Sequence, residues 1–205
     1  MNSKNTAEHV PGNEMVNVRN LLARVKHLEE INRFTLDALD MIIGQESAHP
    51  SINKLESSLP IVADTLRRVG LLIPFMAKAV CFVNEHDADF TLQLVEPGAW
   101  HERMHGEMEA MIQNGVFAWA LREKRPVMVP SSEENMRFLM HVMATSSRIR
   151  GMFLGFLPLE VDEIPDVNWS LFSIVLQRSA NALESYELYR LIKGHNITLH
   201  QEMSS

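Results

Sequence analysis

The chain has 205 residues, 46% of them hydrophobic and 22% charged: enough apolar material for a real core, and a charge fraction too ordinary for wholesale disorder. Its 19 basic and 26 acidic residues give a net charge of −7, and no lysine/arginine block exceeds a pair, which argues against nucleic acid or an anionic membrane as the main partner. Cys81 is the single cysteine, which excludes an internal disulfide and a four-thiolate zinc site.

Residues 1–15 are polar and interrupted by Pro11 and Gly12, so they read as a tail without the apolar core of a signal peptide. From 16 to 44 the pattern turns helical, with Val18, Leu21, Val25, Leu28, Asn32 and Leu39 on one heptad seam. An asparagine at an a position pairs with its symmetry mate and fixes register, so this segment is expected to form a parallel dimeric coiled coil. The alternative is a helix packed on its own domain.

Gly44 to Ile52 breaks the pattern, and a second helix is expected over 58–73, with Pro60 in its first turn and Pro74 just beyond its end. The period then shortens. Lys78–Glu85 and Phe90–Glu96 read as two strands of a hairpin. The longest apolar run, 71–83, contains Pro74 and Lys78 and is too short to span a bilayer.

Two short helices are expected over 101–113 and 115–123, followed by an edge strand, Arg125–Pro130, fenced by prolines. Phe138–Thr145 and Gly151–Leu159 form a second hairpin, apolar on both faces, so the sheet must be covered on both sides. A long helix should start near Asp166 or Asn168, carry Leu171, Phe172, Val175, Leu176, Ala182, Leu183 and Tyr186 inward, and stop at Gly194. The predicted class is α+β, a mostly antiparallel sheet of five or six strands with helices on both faces and at both ends. The expected organisation is a tail (1–15), a dimerisation helix (16–44), a core domain (55–193) and a second tail (194–205).

The stretch His101–Glu102–Arg103–Met104–His105 spells H-E-x-x-H, which on a helix puts two imidazoles on one face with a glutamate as general base. A zinc-dependent hydrolase is therefore one reading. Its surroundings oppose it. Arg103 lies inside the motif, Glu107 and Glu109 follow it, and the helix starts just after Pro97–Gly98. A third ligand is also required; Glu123, Glu133 and His141 have the right chemistry, but none stands at a recognisable spacing. Met104, Met108 and Met111 sit four and three apart, a spacing that suits core filling. His141, in an apolar strand, reads as a hydrogen-bonded core histidine.

The order of elements, with GVFAWALREKRPVMVP at 115–130 and RIRGMFLGFLPL at 148–159, resembles a GAF domain over about residues 55–190. The resemblance implies a small-molecule pocket between one sheet face and the short helices, and dimerisation through terminal helices. It implies that Trp100, His101, His105, Phe117 and Trp119 line the pocket wall. The N-K-F-D-E pattern of cyclic-nucleotide GAF domains is missing, and Cys81 is misplaced for attaching a bilin. The leading expectation is a cytoplasmic, homodimeric, non-enzymatic sensory domain. It has no catalytic residues, no metal and no identified cofactor, and it binds an unidentified small molecule and relays to a downstream signalling protein or output domain. A ligand-free dimerisation scaffold is the alternative.

Overall fold

Helix α1, Leu59–Leu72, follows from its residues. Pro60 occupies the first turn, where a missing N–H leaves no bond unmade. Ile61, Val62, Thr65, Leu66, Val69 and Leu72 recur at helical spacing and are buried. Ile73 turns extended, and Pro74 prevents resumption. The structure, a computed structural model, describes residues 57–84, 89–161 and 163–202, with side chains through residue 193. The chain divides at 45/46, and every described residue lies in the second unit. The expected coiled-coil seam from Val18 to Leu39 lies outside the described residues.

Five strands follow: β1 (Ala77–Val83), β2 (Phe90–Glu96), β3 (Val127–Pro130), β4 (Met136–Ala144) and β5 (Ile149–Pro158). They form one antiparallel sheet in the order β2-β1-β5-β4-β3. As expected, the proline-fenced β3 is an edge strand, and β4 and β5, apolar on both faces, lie inside the sheet. Gly151 of β5 is dictated by close approach, because a Cβ there would stand 2.0 Å from the Cys81 carbonyl oxygen.

One sheet face is covered by α1 and the 37-residue helix α4, Asp166–Glu202. Phe172 sits at the centre of that layer, with ring centroids 5.1 Å from Phe153 and 6.1 Å from Phe75. Thr65 donates to the Ser179 hydroxyl at 2.8 Å, joining α1 to α4. Asn168 does not cap α4 as anticipated. Its amide lies inside the helix and donates to the Leu72 carbonyl at 2.7 Å, satisfying an orphan acceptor at the end of α1. Gly194 does not stop the helix either; α4 continues to Glu202, a glycine in a helix interior costing only about 1 kcal/mol. Leu171, Phe172, Val175, Leu176, Ala182, Leu183 and Tyr186 are all buried, as the apolar stripe required.

Candidate functional site

The opposite sheet face carries two short helices, α2 (His101–Gln113) and α3 (Val116–Glu123). A single 3-10 turn, Gly98–Trp100, leads from β2 into α2. Between the helices Gly115 has φ +79°, a left-handed conformation natural to glycine, which lets the chain reverse in two residues. Lys124, also left-handed at φ 50°, ends α3 and feeds β3.

The stripe of Met104, Met108 and Met111 is the buried face of α2. With Phe117 and Ala120 from α3 it packs on Ala79, Cys81, Phe138, Met140, Met152 and Phe156 of the sheet. Unbranched thioether side chains fill this layer, a choice that suits an irregular or deformable interior. Burial pushes the Cys81 thiol up to about 12, so it is an inert member of the layer.

Glu107, noticed in the sequence only as a charge weakening the zinc motif, is buried and anchors α2. Its carboxylate accepts the Ser132 backbone N–H at 3.1 Å and also the Ser132 hydroxyl. This ties the helix to the loop after β3, a contact across 25 positions that no local pattern signals.

The five anticipated wall residues separate into two groups. Trp100 is half-buried against Phe156, ring centroids 5.3 Å apart, with the Arg103 guanidinium 5.0 Å from its own ring. Phe117 is buried edge-on to Phe90 at 4.5 Å. His101, His105 and Trp119 point to solvent. The Trp119 indole donates to Glu123 at 2.9 Å. Arg125 and then Trp119, as hydrogen-bond donors, hold the Glu123 carboxyl below its ordinary range.

Among the described residues, no group of three or more histidine, cysteine, aspartate or glutamate side chains could hold a metal ion. Neither Glu123, in an ion pair with Arg125, nor Glu133, 3.8 Å from Arg103, completes a set with the two exposed imidazoles. His141, the third candidate, is buried on the far sheet face. Its Nδ1 lies 2.8 Å from the Val142 carbonyl and its Nε2 lies 3.0 Å from the Ser173 hydroxyl. Both ring nitrogens are therefore occupied.

No family model matches the sequence, and no curated protein matches it. Solved structures do. A GAF domain from Pseudomonas syringae pv. tomato superposes with a TM-score of 0.56 at 8% identity, covering 83% of this chain and 99% of that one. The GAF domain of an Acinetobacter phosphoenolpyruvate-protein phosphotransferase gives 0.54 at 11% identity, covering 76% and 95%. The GAF domain of a two-component sensor histidine kinase from Bacillus halodurans gives 0.50 at 13% identity, covering 66% and 99%. The fold of this chain is the GAF fold. Among the described residues no helix is long and apolar enough to cross a membrane.

Proposed function

We propose that the chain is a non-enzymatic GAF-like sensory domain that binds a small molecule between the α2/α3 layer and the sheet, acts as a homodimer, and relays to a signalling partner. The observation that carries this reading is the methionine layer. Met104, Met108 and Met111 separate two short helices from the sheet, and such side chains change rotamer readily to admit a ligand. Trp100 and Phe117 belong to the inner wall of that site. His101, His105 and Trp119 face outward and can meet only a ligand or partner held at its rim.

Dimerisation is supported by Leu188, Leu191 and Ile192, which are 52%, 60% and 62% exposed on α4. Three large apolar residues at helical spacing outside the core are what a partner helix would cover. A cytoplasmic location remains part of the proposal and fits the single, buried cysteine.

A second reading, the ligand-free scaffold, is favoured by how tightly the layer closes. Met104, Met108, Phe138 and Phe156 have no exposed surface. Native mass spectrometry of the full chain separates the two. A dimer retaining a small molecule supports the sensor, a dimer with none that no metabolite stabilises thermally supports the scaffold, and a monomer removes the dimer.

A further inference from the structure

Beside α1, at the end of the sheet where β1 begins and β2 ends, lies an open groove of about 640 Å³, lined among others by Asp64, Arg67, Gly70, Leu71, Lys78 and Glu96. Lys78 and Glu96 stand opposite each other across β1 and β2, so their side chains leave the same face of the sheet. Ala77 and Ala79, the alternate positions of β1, belong to the methionine layer, so Lys78 points the other way, toward α1. Val80, the next residue on that face, is buried and apolar, and packing alone gives no reason for a charge at 78. A Cβ on Gly70 would stand 3.3 Å from the Lys78 Cε, so the missing side chain is what gives the lysine its room.

On α1, Ala63, Arg67 and Leu71 recur four apart and share one side of the helix. The Arg67 side chain is 59% exposed and spends one terminal nitrogen on Asp64, at 2.5 Å. The Lys78 ammonium lies 3.1 Å from Glu96, and its side chain is 20% exposed. Among the described residues neither cation has a second acidic partner. The groove therefore presents two cations and two anions, the cations with donors to spare, beside the exposed apolar surface of Leu71. Charges where the β4–β5 hairpin meets α4 are spent differently. A bulge in β5, where Met143 pairs with Gly151 but Ala144 with Ile149, turns Arg150 toward α4. There Glu187 and Glu184 hold it, with its side chain only 4% exposed, and Arg148 reaches Glu187 at 3.1 Å. That cluster fastens the hairpin to the helix, whereas the groove stays open to solvent.

We infer that this groove is a binding site for a small zwitterion with an apolar side chain, an α-amino acid free or at the ends of a dipeptide. Its carboxylate takes the spare donors of Arg67 and Lys78, its ammonium meets Glu96 and Asp64, and its side chain lies on Leu71. A guanidinium fork matches a carboxylate in shape and donor spacing. Charge balance selects the zwitterion. A ligand with one charge must displace one member of an existing ion pair and leave it without a partner. A zwitterion supplies the opposite charge itself, so every charge keeps an opposite neighbour. The groove is on the opposite sheet face from the site proposed above, so either can fail without the other.

The test is calorimetric titration of the full chain with leucine, leucyl-leucine, leucinamide (no carboxylate) and isocaproate (no ammonium). Saturable binding of leucine or leucyl-leucine is expected, the tighter of the two showing which source the groove takes. Leucinamide and isocaproate should each bind at least about tenfold more weakly. Arg67→Gln and Glu96→Gln, both on partly exposed side chains, should each weaken the zwitterion about tenfold, while Arg122→Gln on the other sheet face leaves it unchanged. Gly70→Leu fills the groove from an exposed helical position, where its Cβ meets only the flexible end of Lys78. It should abolish binding without lowering the melting temperature. The inference is overturned if neither zwitterion binds, if leucinamide or isocaproate binds equally well, or if Arg67→Gln, Glu96→Gln or Gly70→Leu leaves the affinity unaltered.

Discussion

Glu107 holds Ser132 twice, through the backbone N–H at 3.1 Å and through the hydroxyl, and so fastens helix α2 to the loop that follows the edge strand. The acid is buried and the serine is exposed. Replacing Glu107 with alanine strips the loop of its acceptor but leaves Ser132 free to bond water. Destabilisation of about 1–2 kcal/mol is expected in urea melts, with Glu107→Gln retaining part of it.

The two faces of α2 make opposite demands. His101 and His105 are exposed, so His101→Ala and His105→Ala should change stability by no more than about 0.5 kcal/mol, and neither should alter zinc content measured on the purified protein. Met108→Ala, three residues beyond His105 on the buried face, should cost about 2–5 kcal/mol. Stoichiometric zinc lost on His101→Ala would revive the hydrolase.

Two glycines make a matched pair. A Cβ on Gly106, mid-helix in α2, meets nothing within 4 Å, so Gly106→Ala should stabilise by about 0.5–1 kcal/mol through helix propensity. Gly151→Ala places its methyl 2.0 Å from the Cys81 carbonyl, where backbone must move, and should cost about 3 kcal/mol or prevent folding. Thermal melts of both variants decide the matter.

His141 makes stability depend on pH. Burial depresses its pKa below the ordinary 6.5, and the Val142 carbonyl, which would raise it, only partly opposes this. The unfolded chain therefore takes up the proton first as pH falls. Stability should be constant above about pH 6.5, decline as pH drops from there through the depressed folded value, and lose that contribution below it. His141→Leu should melt lower at neutral pH, since it strands Ser173, but should lack the decline that begins near pH 6.5.

Asp64 adds a separate acid limb. Burial tends to raise its carboxyl, but hydrogen bonds and charge from Arg68 and Arg67 outweigh that and bring it below 3.8. Its contribution is complete above that value and disappears as pH falls through the lower folded pKa. Asp64→Asn should flatten this part of an acid denaturation curve.

Much of the fold was legible because strong local signals agreed with tertiary need. The prolines at 126 and 130 mark an edge strand, and the apolar runs 138–145 and 151–159 mark central ones; the observed strands agree to within a few residues. Helix α1 was legible from its stripe and its flanking prolines. The wall of the site was less so. Phe117 and Trp119 lie two apart on an eight-residue helix, too short for periodicity to say which turns inward. The Arg148–Arg150 cluster was invisible for a different reason. In the sequence SSRIR is an ordinary hairpin turn, and its partners on α4 lie 37 and 39 positions away. Only the bulge, a three-dimensional register effect, directs Arg150 toward them.

Helix α4, at 1.5 Å per residue, is about 55 Å long, and the last deeply buried residue among its described side chains is Tyr186. The sixteen residues from Glu187 to Glu202 then make an arm of about 24 Å. Glu184 and Glu187, gripped by the hairpin arginines, stand where the arm leaves the sheet. A tilt of about 10° at those ion pairs would carry the far end about 4 Å. A change of a few degrees at the hairpin would thus be read at the tip as a displacement of several ångströms.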